Sequence, residues 1–362
     1  MYRNIYIHGV NIYDIFVKKF IFNVIEKMQF TRTKKLVFFN NKWWVWKTTI
    51  AYNTAVKFSE KWYKTVLVDL DTQCNLSRLV IWESFEQSLF SDVENNIYWI
   101  LKWVIEWWSD IDLSMKPIQI SNNLYIIPWS LKLSRYDNLL LTAYNQAAAG
   151  ENIWYFQTSA INRYLSKLWM DEEIDLFIID CSPNLWLLNR IILLWSDYFI
   201  VPLMPDAFSL QWVENLWITL EEWKKNWKNT GKALASSIPS EQVLNGEWLF
   251  IWYIVNSYNQ YADRPIKSHN EWIGKIPLAI KEYLSEKHCK NWLVEKSRKE
   301  SLMNIKDFWE LSSDSHRTNK AIFNLKPGDD FKAVKWTLDN LEIAKEQFWW
   351  LIENIEEILK KY

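Results

Sequence analysis

Glycine is the residue that this sequence most lacks, with 6 in 362 residues against a usual share of about 7%. Cysteine is also scarce. Cys74, Cys181 and Cys289 are too scattered for a zinc site or a disulfide framework, and their number is typical of a reducing cytosol. Basic and acidic residues balance, 42 against 43, so no global charge points to nucleic acid or membrane. No uninterrupted apolar stretch is long enough to cross a bilayer.

Tryptophan, in contrast, is abundant, with 26 residues. Several stand where a turn or a helix end favours glycine, such as Trp62 between a helical pattern and a strand, Trp129 after a proline, and Trp107 with Trp108 in a loop. Reading every tryptophan as glycine would give about 32 glycines, an ordinary share. We hypothesise that most are UGA codons that the source organism reads as glycine. Trp272 is our candidate for a genuine one, and a naturally tryptophan-rich protein is the alternative.

Residues 38–49 form the stretch around which the chain is organised, Phe-Phe-Asn-Asn-Lys-Trp-Trp-Val-Trp-Lys-Thr-Thr. A predicted buried strand over 36–39 precedes it and a predicted helix over 48–61 follows it, which is the order of a phosphate-binding loop. Such a loop needs glycine because its backbone N–H groups must converge on the phosphates. Tryptophan at 43, 44 and 46 would fill that space. With glycine there, the run Lys-Gly-Gly-Val-Gly-Lys-Thr-Thr resembles the deviant Walker A motif of the ParA/MinD family of ATPases.

Two carboxylates follow at the end of the next predicted strand, over 64–71. Asp69 and Asp71 are two residues apart and therefore share one face of the strand near its carboxyl end. The continuation over 71–76 resembles the family's first switch, Asp-Pro-Gln-Gly-Asn-Leu, but departs from it at Thr72 and Cys74, where proline and glycine are usual. By this resemblance Asp71 would position the attacking water, and Asp69 would support the magnesium site.

A third element in the same order covers residues 175–186. Four apolar residues end in Asp180, as a Walker B aspartate requires in order to hold magnesium. With glycine at Trp186, the run resembles the family's second switch, Ile-Ile-Asp-Cys-Pro-Pro-Ser-Leu-Gly. Further on, a predicted strand over 249–258 reaches Asn256, where relatives place a residue near the adenine.

The resemblance implies a doubly wound, mainly parallel α/β sheet of the deviant P-loop NTPase type, with ATP and Mg²⁺ bound at its carboxyl edge. Lys42 would be the signature lysine that reaches across an ATP-bound homodimer, and Lys47 would hold the β and γ phosphates. The remaining nucleotide-binding positions are Trp43, Trp44, Val45, Trp46, Thr48 and Thr49. Thr48, Asp69 and Asp180 would form the magnesium site.

Three segments are expected: 1–33 as an N-terminal extension or a mis-assigned start, 34–330 as the NTPase domain, and 331–362 as a helix packed on it. The tail has an acidic polar side, which an anionic membrane would repel. Over 82–122 we expect helix and loop, and over 131–149 and 151–170 one helix each. A basic surface is expected from Lys224, Lys225, Lys228, Lys232, Arg264, Lys267, Lys275 and the lysines and arginine over 281–299.

The implied function is partition of a chromosome or plasmid in the cytoplasm, at the nucleoid, by slow ATP hydrolysis that times dimer release. A ParB-like activator and nonspecific DNA would be the partners, with phosphate neutralisation supplying DNA affinity. A MinD-like or orphan ParA-type positioning ATPase is one alternative. An iron–sulfur relative would need cysteine pairs, which the three cysteines do not offer. If the loop tryptophans are real, a non-catalytic binding protein follows instead.

Overall fold

A computed structural model describes residues 32–40, 46–81, 95–106, 110–258, 260–261, 264–265, 267–280, 282, 300–329 and 334–362, with two short strands at 6–7 and 10–11. Four residues of the predicted phosphate loop, Lys42, Trp43, Trp44 and Val45, lie outside the described residues. The same holds for Trp107, Trp108 and Cys289, and for most of the proposed N-terminal extension.

One eight-stranded sheet organises the described fold. Its strands are β1 (Lys34–Phe38), β2 (Thr65–Leu70), β3 (Ile118–Ser121), β4 (Leu124–Ile127), β5 (Leu176–Cys181), β6 (Tyr198–Leu203), β7 (Leu249–Tyr258) and β8 (Asn304–Lys306). Their spatial order is β8-β7-β6-β1-β5-β2-β4-β3. Every neighbouring pair is parallel except β3 with β4. The predicted fold class, a doubly wound and mainly parallel α/β sheet, is confirmed.

The helices are α1 (Lys47–Glu60), α2 (Ile97–Glu106), α3 (Ser134–Ala148), α4 (Asn152–Thr158), α5 (Ala160–Glu172), α6 (Leu187–Trp195), α7 (Ala207–Asn229), α8 (Gly231–Leu234), α9 (Lys267–Ile280), α10 (Trp309–Thr318) and α11 (Lys335–Lys361). Residues 75–81 are also helical. No helix among the described residues is long and apolar enough to cross a membrane.

The central strands are buried along their whole length because helices cover the sheet, as their nearly continuous apolar runs predict. Strand β1 lies between β5 and β6, and the chain passes to one side of it for β2 and to the other for β6. Ligands of such sheets bind beyond the carboxyl ends of the strands, where the strand order reverses. The register places Asp180 beside both Phe38 of β1 and Asp69 of β2.

Two details differ from the sequence-based expectations. The region 82–122 includes an antiparallel edge strand, β3, whose four residues alternate between half-buried and exposed and are too short to show a clear pattern. The single helix expected over 151–170 is two helices, α4 and α5, with a break at Ser159 between them.

Candidate nucleotide-binding site

The first turn of α1 forms one wall of the site. Trp46 caps this helix with a left-handed backbone, φ 50° and ψ 23°, and makes no side-chain capping hydrogen bond. The free N–H groups of the turn and the helix dipole favour an anion at this end. Trp46, Lys47, Thr48 and Thr49 all line the adjoining cleft. This is where the sequence predicted phosphate binding.

Lys47 lies at the centre of the site, buried among carboxylates. Its Nζ donates to an Asp180 oxygen and to the Cys181 carbonyl, and lies 3.8 Å from Asp71 Oδ2. Burial alone would lower the pKa of Lys47, but the charges around it, led by Asp180, and the hydrogen bond to Asp180 together outweigh burial and raise the pKa above its ordinary value. Lys47 is therefore a cation at neutral pH, at the N-terminus of α1.

Thr48 and Asp180 together offer oxygen ligands on the other side of the helix end. Thr48 Oγ1 donates to Asp180 Oδ2 at 2.7 Å. Magnesium is usually held by one or two such protein oxygens and completed by water and phosphate. The described residues contain no cluster of three or more His, Cys, Asp or Glu side chains that could hold a metal ion.

Asp71 and Asp69 differ in what their oxygens contact. Asp71 Oδ1 accepts from Ser182 Oγ and from the Gln73 N–H, both at 3.0 Å, while Oδ2 is the oxygen nearest Lys47. Asp71 lines the cleft. Asp69 is fully buried: Oδ2 accepts from the Ser77 N–H and hydroxyl at 2.8 and 2.6 Å, and Oδ1 accepts from the Asp71 N–H at 3.1 Å.

The surroundings of Asp69 also change its acidity. Burial raises the pKa of Asp69 to about 7, and the charge of Asp180 adds to the shift while the hydrogen bonds from Ser77 oppose it. Because its oxygens are already used by protein donors, Asp69 supports the site from behind and does not face the cleft. Of the two aspartates, Asp71 is the one that can meet a ligand.

The cleft itself has a volume of about 410 Å³, within the usual range of small-molecule sites. Its far wall was not predicted: Trp309, Ser312, Ser313 and His316 of α10 face it, together with Asn75 and Pro183. The spacing of 309, 312, 313 and 316 gives one helical face. Two bonds hold the end of α10 against α1, from Tyr52 Oη to the Asn319 carbonyl at 3.0 Å and from the Ile322 N–H to Asn53 Oδ1 at 2.8 Å.

Asn256 is fully buried at the carboxyl end of β7 and is not among the described residues that line the cleft. Neither atom of its amide group has a hydrogen-bond partner among the described residues. A buried amide without partners is costly unless a ligand or water satisfies it.

Backbone geometry bears on the tryptophan hypothesis. Trp46, Trp62 and Cys74 have positive φ values of 50°, 71° and 49°, a conformation that favours glycine. These three positions are among those where the sequence led us to expect glycine. Trp46 also lines the cleft, where a side chain takes up space that a residue without Cβ would leave open to a ligand.

The basic surface is only partly free of acidic neighbours. Lys224 and Lys232 lie 3.9 and 3.1 Å from carboxylate oxygens of Glu247, and Lys275 pairs with Glu271 at 2.5 Å. The exposed Lys225 and Lys228 on α7 make no ion pair within the described part of the chain. The basic residues over 283–299 and Lys281 are not described, and neither are the side chains of Arg264 and Lys267.

A family model and a related protein sequence both match this chain. Residues 33–233 match the model of the AAA domain family AAA_31. An uncharacterized protein of Methanocaldococcus jannaschii is 31% identical over 260 residues, covering 69% of this chain and 87% of its own length.

Solved structures show a similar fold. The Cyanothece McdA–ATP complex has a TM-score of 0.56 at 13% identity and covers 88% of this chain and 97% of its own. A protein named as a plasmid partition protein of Borrelia burgdorferi B31, bound to AMPPNP, has a TM-score of 0.50 at 20% identity, with coverage of 88% and 99%. With the sheet order and the ordered Lys47, Asp71 and Asp180 elements, these matches identify the chain as a member of the AAA_31 family of ParA/MinD-type P-loop NTPases.

Proposed function

We propose that this protein is a ParA-like ATPase that dimerises on binding ATP, hydrolyses it to ADP and phosphate, and serves partition of a chromosome or plasmid. The observation that carries the proposal is the convergence of Lys47, Thr48 and Asp71 on one cleft at the carboxyl ends of β1, β2 and β5. Asp180 is buried behind them and accepts hydrogen bonds from Lys47 and Thr48. A lysine at a helix N-terminus beside a hydroxyl and two carboxylates matches what phosphoryl transfer requires: a cation for the phosphates, oxygen ligands for magnesium and a carboxylate for water.

Each group has a separate task in this proposal. Lys47, with the backbone of residues 43–46 and Thr49, holds the β and γ phosphates. Thr48 and Asp180 hold magnesium, which when bound offsets charge on the phosphates. Because Lys47 now pairs with Asp180, its ammonium must exchange a carboxylate for phosphate oxygens as the nucleotide enters.

Asp71 is proposed to orient the attacking water, since it lines the cleft, its Oδ1 is held by two hydrogen bonds, and its Oδ2 is left beside Lys47. Asp69 would support the magnesium site by holding Ser77 and the Asp71 backbone. Lys42 would reach the phosphates of the partner subunit, and Asn256 would use its unsatisfied amide near the adenine.

The proposal also includes glycine at positions 43, 44 and 46. The positive φ of Trp46 supports glycine at position 46, and the family motif suggests it at 43 and 44. Nonspecific DNA would bind the basic surface, with Lys225 and Lys228 as its exposed described members, and a ParB-like protein would stimulate hydrolysis. The likeness to a named plasmid partition protein supports the fold of such a protein.

Light scattering after size-exclusion chromatography, combined with phosphate release, tests the proposal on the naturally produced protein. We expect a monomer without nucleotide, a dimer with Mg²⁺ and ATP, and slow phosphate release. Lys47→Ala should lose ATP binding. Lys42→Ala should bind ATP yet fail to dimerise, which separates the two lysines.

Lys57→Ala is the matched control, because Lys57 lies on the same helix and pairs at its surface with Glu60, 2.9 Å away. It should behave as the wild type. A wild-type protein that remains monomeric and releases no phosphate in Mg²⁺ and ATP would contradict the proposal. Binding of linear duplex DNA that does not depend on ATP would contradict the partition role while leaving the ATPase intact.

A further inference from the structure

Two hydroxyl side chains join the segments that follow β2 and β5. Thr72 stands directly after Asp71, and Ser182 stands two residues after Asp180. In the ParA-type runs that these segments resemble, Asp-Pro-Gln-Gly-Asn-Leu and Ile-Ile-Asp-Cys-Pro-Pro-Ser-Leu-Gly, both positions are proline. The chain therefore departs from the family pattern twice, at two positions that touch.

The contacts between them have a defined direction. The Thr72 N–H donates to Ser182 Oγ at 3.0 Å, and Ser182 Oγ donates to Asp71 Oδ1 at 3.0 Å. The two hydroxyl oxygens lie 3.4 Å apart. A serine hydroxyl has one proton and accepts through its lone pairs. Since it accepts from an N–H and faces a carboxylate, its proton points to Asp71.

The position of Ser182 is itself fixed. Its carbonyl accepts from Asn189 Nδ2 at 2.7 Å, and the residue is 4% exposed. Neighbouring strands bring it there, because β2 and β5 pair with Leu70 beside Cys181, so the next residues, Asp71 and Ser182, emerge side by side. The hydrogen bonds that link Thr72, Ser182 and Asp71 form a bridge, which lies directly after the paired strands β2 and β5.

We propose that Ser182 is a positioning residue for Asp71 and that, with Thr72, it ties the segment after β2 to the segment after β5. The inference rests on the proposed ATPase function and adds a residue to it. Ser182 and the Gln73 N–H hold Oδ1 and so restrain rotation of the Asp71 carboxylate, which keeps Oδ2 on the side of Lys47, 3.8 Å away.

Both departures from the family pattern are needed for this bridge. Proline at 72 has no N–H to donate, and proline at 182 has no hydroxyl. A threonine and a serine at these two positions supply the missing donor and the missing hydroxyl together. The segment that carries Asp71, proposed to orient the water, would then be tied to the segment that follows Asp180, proposed to bind magnesium.

Steady-state kinetics of ATP hydrolysis test the proposal, with genes that encode the residues found in the natural protein. In Ser182→Ala we expect kcat to fall about tenfold, about 1.4 kcal/mol of transition-state stabilisation, because the Asp71 carboxylate loses a hydrogen bond. KM for ATP should stay within about twofold, since Ser182 is not among the described residues that line the cleft. Ser182→Thr keeps the hydroxyl and should recover most of kcat.

Ser196→Ala is the matched control. Its hydroxyl is equally buried and donates to the Leu193 carbonyl at 3.0 Å, at the amino end of β6 and away from the cleft. It should leave kcat unchanged. Thr72→Pro removes both the N–H and the hydroxyl that face Ser182. The double variant Thr72→Pro/Ser182→Ala should be no slower than Ser182→Ala alone, because both substitutions act through one bridge.

Amide hydrogen exchange gives a readout that is independent of turnover. The Thr72 amide should exchange slowly in the wild type and faster in Ser182→Ala. An active wild type with unchanged kcat in Ser182→Ala, additive losses in the double variant, or no recovery in Ser182→Thr would overturn the positioning role alone. A wild type without ATPase activity would overturn the proposed function and this inference with it.

Discussion

Trp62 and Trp227 occupy opposite environments, and under the glycine hypothesis we expect the first to be a glycine position and the second a genuine tryptophan. Trp62 has a positive φ of 71° and a side chain that is 56% exposed. Trp227 is fully buried, and its Nε1 donates to the Leu244 carbonyl at 2.8 Å. A Cβ added at Gly231 would come within 2.4 Å of the Trp227 ring, so an authentic glycine makes room for this indole.

Substitution of each by glycine should therefore have opposite effects, in protein produced with tryptophan at both positions. Trp62→Gly should raise the free energy of unfolding by about 1 kcal/mol, because it relieves a left-handed residue. Trp227→Gly should lower it by about 4 kcal/mol through a large cavity. Urea denaturation measures both, and a loss of stability in Trp62→Gly would contradict our assignment of that position to glycine.

Sequence reasoning at the residue scale found the groups that follow strands and missed those that depend on tertiary contact. Lys47, Thr48, Asp71 and Asp180 could be predicted because a strand-end carboxylate and a lysine before a helix are local patterns. The pairing of Thr72 with Ser182 could not, because it depends on the register between β2 and β5. The positive φ of Cys74 could not be predicted from the sequence alone. The only sign of it was that the ParA/MinD family usually has glycine at this position.

Among the elements, α11 is attached to α1 by a buried carboxylate. Glu356 accepts from Lys61 at the end of α1, from Tyr63 Oη at 2.7 Å and from Lys360. Burial alone would raise the pKa of Glu356, but the hydrogen bonds from Lys360, Lys61 and Tyr63 outweigh it and lower the pKa below its ordinary value. The attachment of the last helix to the helix of the phosphate loop is therefore sensitive to acid.

The sign of the pH effect follows from that lowered pKa. Stability from ionised Glu356 is fully present above the unfolded-state pKa of about 4.3 and is lost as pH falls through the folded-state pKa. Glu356→Gln should cost about 2 kcal/mol at pH 7, and its gap from the wild type should narrow as pH falls below about 4. The neighbouring Glu357→Gln, on the exposed face of α11, is the control; an equal gap at pH 7 and pH 3 in urea denaturation would contradict the assignment.

The sequence predicted the strands with long apolar runs and missed β3 and β8, which have four and three residues. The predicted strands β1, β2, β5 and β7 have five or more residues and are buried in their described positions, apart from the half-buried Lys35 and Leu249. Because β8 was missed, the position of α10, which follows it, could not be predicted. Residues 309, 312, 313 and 316 share one face of α10, and in the structure that face lines the cleft.

For the whole molecule, nucleotide binding should couple to folding stability. Mg²⁺ with ATP at a hundred times its dissociation constant should add about 2.7 kcal/mol to the free energy of unfolding. Asp180→Asn keeps the shape of the side chain but loses its charge, so the added stability should no longer depend on magnesium. Thermal unfolding with ATP in magnesium or in EDTA measures this; equal magnesium dependence in the variant would remove Asp180 from the metal site.

Tandem mass spectrometry of the naturally produced protein across Lys42 to Lys47 would show directly whether the chain has a phosphate loop that can hold ATP. We predict glycine at 43, 44 and 46, because residues without a Cβ leave room for the backbone N–H groups to converge on phosphate in front of Lys47. Tryptophan at all three positions would contradict it. The fold would then keep its buried Lys47–Asp180 pair without a loop that can hold ATP, and a non-catalytic binding role would follow.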